Sequence, residues 1–309
     1  MSDSFRSSAT RVSVVMPCYN TASYVEAALK SVYEQTHTPY EVILVDDGST
    51  DDTFQVLERL QRQWGFTLLQ QANQGVSAAL NLGLSVARGD YVITPDSDDV
   101  LLPEAIAVRA TYMDQHPGAG LVGAKVIYTD AQGAEIKREA CQGVETYRFC
   151  DVLAQALAVG APVAMYRMAA LRAVGFYDPA IRIQDFQITL RLAHAGYGIA
   201  CLPAYITRYR RHSASLSRKY RQQLDHDLAA IEPYRDHPDW PAARMAVINK
   251  ALKYGVRQDP QMSWELLRKV PLRQWNRVTV KRAKGLLNGV VKRGIHRGLG
   301  GKEDSQGRA

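Results

Sequence analysis

The sequence predicts an α/β fold: a largely parallel sheet flanked by helices, followed by a basic helical extension. Three observations predict it. As far as residue 99, short β-branched runs alternate with amphipathic helical stretches, and the crossovers of about 25 residues are long enough to join parallel strands. Asp-bearing polar clusters close two of these runs, and Cys18-Tyr19-Asn20 closes a third. From Lys219 onward the strand pattern is gone, and helical stretches with breaks at Pro233, Pro238, Pro241, Pro260 and Pro271 replace it.

Residues 1–10 are polar and expected to be disordered. Arg11 to Pro17 is apolar and β-branched, which suits a strand buried on both faces. Tyr24 to Tyr33 reads as a helix whose apolar face is Val25, Ala28, Leu29 and Val32. Glu41 to Val45 is a second strand. Thr50, Asp51 and Asp52 then stand where the N-cap of a helix over Phe54 to Trp64 is expected. Phe66 to Gln70 is a third strand, Gly75 to Arg88 a helix, and Tyr91 to Thr94 a fourth strand. Beyond it, Leu121 to Tyr128 and Glu135 to Arg138 read as a hairpin around the Asp130–Gly133 turn. Val163 to Tyr166 and Tyr205 to Tyr209 read as strands, Met168 to Val174 and Asp185 to Ala195 as helices. The expected layout is thus an α/β domain over 11–217 and a basic helical extension over 218–309.

The chain is long enough, at 309 residues and 46% apolar, to bury a sizeable core without disulfides or metals. No apolar run approaches the roughly 18–20 residues of a membrane span, and the N-terminus lacks a signal-peptide core. Cys18, Cys141, Cys150 and Cys201 form no CxxC pair, so they read as reduced thiols and the expected location is cytoplasmic. The net charge of +7 is uneven: residues 244–309 carry +12 and the remainder −5. The basic end therefore suits an anionic surface.

Ligands of open α/β sheets sit beyond the carboxyl ends of the strands. Those ends carry Cys18-Tyr19-Asn20, Asp46-Asp47-Gly48-Ser49 and Asp96-Ser97-Asp98, three polar clusters on one rim. Asp96 and Asp98 can clamp a hard cation against phosphate oxygens, since Mg²⁺ takes one or two carboxylates plus substrate phosphates. The bland alternative is that Asp98 and Asp99 cap a helix beginning near Pro103, and the two can hold together with Asp99 as the cap. Asp46 is placed to meet a ribose or base, although Gly48-Ser49 also reads as turn chemistry. No GxGxxG follows the first strand, which argues against a dinucleotide dehydrogenase.

The order and spacing of VSVVMPCYN, EVILVDDGSTDDT and NQGVSAALNLGLSVARGDYVITPDSDD resemble the family-2 inverting glycosyltransferases, with their Rossmann-like mixed sheet of the GT-A type. GAPVAMYRMAALRAVGFYD and IQDFQITLRLAHAGYGIACLPAYITRYRRHSASLS resemble that family's acceptor side and base region, so the likeness spans about residues 11–217. The resemblance implies a nucleotide site from Pro17, Tyr19, Asn20, Asp46, Asp47, Gly75, Asp96 and Ser97. It implies Mg²⁺ or Mn²⁺ at Asp98 and Asp96, with His212 reaching the metal or diphosphate. Asp185 would be the general base, and Gln184, Arg208, Arg210 and Arg211 would face acceptor or diphosphate. A carboxylate base suits a hydroxyl that loses its proton as it attacks, an effect typically worth about 10²–10⁴-fold. Cations suit the charge building on a leaving diphosphate. The implied partners are a nucleotide-sugar donor, UDP-linked first among them, and a saccharide or lipid-linked acceptor in surface polysaccharide synthesis.

The chain departs from the family pattern around the base. Gln184 and Gln187 stand where acids are usual, which should lower the pKa of Asp185 relative to a typical member. Leu80 replaces an Arg often found before the helix Asn, here Asn81, and Pro95 stands where an apolar strand residue is common. These departures keep a non-catalytic sugar-nucleotide scaffold as the alternative. A receiver-like signalling module is disfavoured, because a full strand-loop-helix precedes Asp46 and no Lys-bearing strand end follows Asp96 at a fitting distance. Residues 278–299 mix basic and apolar side chains. They suit a peripheral contact with an anionic membrane or a solvated tail, and no zinc module or RNP-like motif suggests nucleic acid.

Overall fold

The computed structural model describes residues 10–211 and 220–287. β1 (Val12–Cys18), α1 (Val25–Tyr33), β2 (Glu41–Asp46), α2 (Thr53–Trp64), β3 (Thr67–Gln70), α3 (Val76–Val86) and β4 (Tyr91–Ile93) follow the expected alternation. β5 (Val100–Leu101), α4 (Ala105–Gln115), β6 (Ala119–Thr129) and β7 (Glu135–Arg138) come next. β8 (Glu145–Tyr147), α5 (Phe149–Gln155), β9 (Met165–Arg167), α6 (Met168–Ala173), α7 (Gln184–His194) and β10 (Gly198–Arg210) complete the α/β part. Among the described residues the strands form one sheet, in the order β3-β2-β1-β4-β9-β6-β10-β5, with β7 beside β6 and β8 beside β10.

The sheet is mixed. β1 runs parallel to β2 and β4, and β2 parallel to β3, whereas β9 is antiparallel to both β4 and β6. β1 sits between two parallel neighbours, which explains its near-continuous apolar run: Val12, Val14, Val15 and Met16 are all fully buried. α1 buries the predicted Val25, Ala28, Leu29 and Val32. α3 lies close on β1 and β2 because Gly83 has no side chain. A Cβ there would stand 2.4 Å from Val15 and 3.1 Å from Val45.

Register then aligns the site. Cys18 pairs with Asp46, and Asp46 with Gln70, so the carboxyl ends of β1, β2 and β3 finish in one row. β4 delivers Asp96 a few residues beyond its own end.

Two differences from the expected elements have local causes. β10 runs from Gly198, well before the expected Tyr205, because Pro203 is exposed where the β10–β6 register shifts between Cys201 and Tyr205. A proline without an N–H is tolerated at such an irregularity. β5 and β8 are strands of two and three residues held by pairing to β10, too short to leave a periodicity.

The described residues fall into two compact units, the second made of 153–156 and 220–287. Its helices are α8 (Tyr220–Ile231), α9 (Trp240–Gln258) and α10 (Pro260–Arg268), and residues 277–287 are also helical. Pro241 and Pro260 occupy first helical turns, where the missing N–H costs nothing, so they start helices as well as separating them. Asp259 caps α10 by accepting the Met262 N–H at 3.1 Å. Leu224, Ile231, Val247, Ile248, Leu252 and Leu267 are buried in this unit. The expected boundary at 217/218, residues 1–9 and residues 288–299 of the basic stretch lie outside the described residues.

Candidate active site

The loops after β1 and β2 are tied to each other. Asn20 adopts φ 55°, and its side-chain oxygen accepts the Thr50 N–H at 2.8 Å. The Asn20 N–H donates to the Ser49 hydroxyl at 3.1 Å. Its amide is thus committed to loop closure. Pro17 is partly buried opposite Val45, and Tyr19 is 47% exposed at the rim. Gly48 has φ +66°, and a Cβ there would lie 2.7 Å from the Asn73 nitrogen, so the turn admits no side chain.

The two acids at the end of β2, Asp46 and the following Asp47, differ in kind. Asp46 is fully buried. Its Oδ2 accepts from the Ser49 N–H and the Gln70 amide, and its Oδ1 has no hydrogen-bond partner. Asp47 is fully engaged: Oδ1 accepts from Gln71 Nε2 at 2.7 Å and the Gln74 N–H at 2.9 Å, and Oδ2 accepts the Gly75 N–H at 2.9 Å. It shapes the loop before α3. The orphan acceptor of Asp46 is the one left for a ligand donor.

After β4, Asp96, Asp98 and Asp99 each bring a carboxylate oxygen within 4.8 Å of the others. Burial, then the charges of Asp98, Asp99 and Asp185, push the Asp96 carboxyl well above its usual range. Burial and Asp98 likewise raise Asp99, against the lowering effect of Arg210. Asp99 caps no helix, contrary to the expectation, because α4 begins only at Ala105 with Glu104 at its N-cap. Its Oδ1 accepts the Arg210 N–H at 2.7 Å, and its Oδ2 is buried without a partner. Ser97 is buried, and its hydroxyl donates to that of Thr21 at 3.1 Å. Crowded carboxylates with an orphaned oxygen fit a hard divalent cation, which would relieve both the repulsion and the missing bond.

Asp185 lies in the first turn of α7, and its Oδ1 accepts the Ala161 N–H at 2.9 Å. Its charge is among the causes that raise Asp96, Tyr166 and Tyr177, so these four side chains share one neighbourhood. Gln187 does not face it. This side chain is 1% exposed; it accepts the Asp178 N–H at 2.7 Å and donates to the Asp178 and Ile181 carbonyls and to Ser77. It is a buried clasp between α7, the 178–181 loop and α3. Gln184 is partly buried at the start of α7.

The basic stretch divides. Arg208 is exposed on β10. Arg210 reaches the acidic loop but grips its backbone: Nε donates to the Asp98 carbonyl at 2.9 Å and Nη1 to the Ala131 carbonyl at 2.8 Å. Its guanidinium also lies 5.0 Å from the Tyr24 ring centre. Arg211 stacks over Tyr128 at 4.3 Å. His212 lies outside the described residues. Cys18 is buried, its thiol pushed up to about 12 by burial, so it is an inert packing group.

Sequence reading missed Asp99 as a third member of the acidic cluster, although it directly follows Asp98. It also missed Ala161, whose backbone donor leaves no trace in residue type.

Residues 13–176 match the family model described as glycosyl transferase family 2. The chain belongs to that family. Its mixed sheet with flanking helices is of the GT-A type. The amylovoran biosynthesis glycosyltransferase AmsE of Erwinia amylovora is 27% identical over 231 residues, 72% of this chain and 84% of AmsE. The chain spans only 18% to 41% of the length of the first curated relatives it matches, at 34–35% identity. Among solved structures, Staphylococcus aureus TarS 1-349 in complex with UDP-GlcNAc superposes with a TM-score of 0.62 at 20% identity, covering 86% of this chain and 83% of that one. A mannosyltransferase from Pyrobaculum calidifontis in complex with GDP-Man and Mn²⁺ gives 0.55 at 20% identity, covering 91% and 86%.

Proposed function

We propose that the protein transfers a sugar, with inversion, from a nucleotide-diphospho-sugar to a hydroxyl of a saccharide or lipid-linked acceptor in surface polysaccharide synthesis. The observation that carries this reading is the cluster of Asp96, Asp98 and Asp99 beyond β4, with Asp185 of α7 close enough that its charge helps raise Asp96. Similarity to AmsE supports the polysaccharide setting. The TarS complex with UDP-GlcNAc supports a UDP-sugar, and the complex with GDP-Man and Mn²⁺ keeps a GDP-sugar in view.

In this reading the orphan Oδ1 of Asp46 accepts a hydrogen bond from the nucleoside, and exposed Tyr19 covers it. Asp98, Asp96 and Asp99 hold Mg²⁺ or Mn²⁺, which when bound offsets charge on the departing diphosphate. Asp185 takes the proton of the acceptor hydroxyl as its oxygen bonds to the anomeric carbon and the bond to the diphosphate breaks. Arg210 holds the acidic loop in shape through its backbone contacts.

The basic end belongs to the same proposal. No helix among the described residues is long and apolar enough to cross a membrane. Val278, Val280 and Leu287 are exposed in the segment that also carries Lys281 and Lys284, which suits peripheral contact with an anionic bilayer from the cytoplasmic side.

The test is a binding and turnover screen of UDP-, GDP- and dTDP-sugars with Mn²⁺, Mg²⁺ or EDTA, on wild type, Asp98→Ala and Asp185→Ala. The expected result is metal-dependent binding of one donor class, lost in Asp98→Ala, and turnover lost in Asp185→Ala with binding kept. Binding of no donor in any condition would overturn the assignment.

A further inference from the structure

Asp185 is held from a distance. Its Oδ1 accepts the N–H of Ala161 at 2.9 Å. That N–H belongs to the Gly160–Ala161 peptide, whose carbonyl accepts the Val163 N–H at 3.1 Å. The Val163 N–H belongs to the Pro162–Val163 peptide, whose carbonyl accepts the hydroxyl of Thr207 at 2.7 Å. Each peptide accepts at one end and donates at the other. Three hydrogen bonds therefore run head to tail from Thr207, fully buried in β10, to the carboxylate in α7.

A second anchor grips the same turn without feeding the chain. Arg109 of α4 is 1% exposed, and its Nη1 donates to the Val163 and Ala164 carbonyls at 2.9 and 3.0 Å. The Ala164 N–H passes on to the Ala161 carbonyl at 3.2 Å. There the path ends, because the nitrogen of that peptide is Pro162, which has no hydrogen. Arg109 grips the turn, and of these two paths it is the one from Thr207 that reaches the acid.

We propose that Thr207 is a positioning residue for Asp185, acting through the 160–163 turn. The proposal rests on the reading of Asp185 as the general base. Hydrogen bonds in series strengthen one another in a low-dielectric interior. Donation by the hydroxyl therefore tightens the last bond, from the Ala161 N–H, which helps to orient the carboxylate. Thr207 pairs with Leu101 beside the acidic loop, and its hydroxyl points to the Pro162 carbonyl of the turn.

The test uses the full chain carrying Thr207→Val, which keeps the shape and removes the donor, with Thr207→Ser as the restoring variant. Turnover is read with whichever of UDP-glucose, UDP-GlcNAc or GDP-mannose supports it. The Ala161 amide proton is followed by NMR on protein labelled with ¹⁵N-alanine, which needs no substrate. Loss of one buried hydrogen bond sets the scale, so Thr207→Val should lower kcat roughly 3- to 10-fold and leave the donor KM within about 2-fold. The Ala161 amide should move upfield, and Thr207→Ser should restore both. An unmoved Ala161 amide with wild-type kcat in Thr207→Val would overturn the proposal, as would an equal loss in Thr207→Ser. Thr207→Cys, a weak donor, replaces valine in the comparison if valine does not fold. Full turnover in Asp185→Asn would overturn the base reading itself; loss there with none in Thr207→Val overturns only the role of Thr207.

Discussion

The carboxylate of Asp47 accepts the backbone N–H of Gly75 at 2.9 Å, joining the end of β2 to the entry of α3. Its neighbour Asp46 makes the opposite use of the same chemistry, keeping one buried oxygen without a partner. With Asp46 read as the nucleoside contact, the pair is expected to separate stability from binding. Asp47→Asn turns an amide donor towards backbone N–H groups and should cost roughly 1–3 kcal/mol in a denaturant melt. Asp46→Asn should leave the melt within about 1 kcal/mol of wild type and weaken donor affinity, read by calorimetric titration.

The acidic cluster makes stability depend on pH in a stated direction. Asp96 and Asp99 are raised in the folded protein, so above the ordinary carboxylate range the folded state binds more protons than the unfolded chain. Their contribution is greatest at low pH and is lost as pH rises through the raised folded values. Metal-free protein should therefore melt higher as pH falls from about 8 towards 5. Mn²⁺ or Asp99→Asn should flatten that slope in a thermal melt series.

Gln187 and Gln184 should respond differently to restoring the acids usual in the family. Gln187→Glu places a carboxylate against the carbonyls of Asp178 and Ile181 in a buried site, and should destabilise by about 3 kcal/mol or more. Gln184→Glu, only partly buried, should change the melt by less than about 1 kcal/mol.

Contact with an anionic bilayer should show as co-sedimentation of the full chain with phosphatidylglycerol vesicles and not with phosphatidylcholine ones. Binding should weaken with salt and fall in Lys281→Glu/Lys284→Glu, at about 1 kcal/mol per basic residue near the surface.

Much of the α/β part could be read in advance because a parallel sheet writes itself as apolar runs, and Val12 to Cys18 and Glu41 to Asp46 are such runs. The rim clusters were legible for the same reason: they begin where the runs stop. The division of labour between Asp46 and Asp47 was not legible. It depends on which way the Gln71–Gly75 backbone turns, and adjacent carboxylates look alike in sequence. Gln187 seemed a lost acid and is a clasp, because its partners are backbone groups of a loop with no periodicity. The capping alternative for Asp98 and Asp99 fails because α4 begins at Ala105, later than a start near Pro103. Strands as short as β5 and β8 owe their existence to a partner, β10, that comes about a hundred and about fifty residues later.

That dependence on β10 has a consequence for the order in which the protein is made. Asp99 accepts a backbone hydrogen bond from Arg210, and the turn that donates to Asp185 accepts one from the Thr207 hydroxyl. A ribosome delivers the acids of the cluster long before it delivers either clamp. Until β10 emerges, the nascent chain therefore lacks the hydrogen bonds that Arg210 gives to Asp99 and to the Asp98 carbonyl. Both hydrogen bonds thus arrive with the closing stretch of the sheet, at the end of that domain's synthesis and not at its beginning.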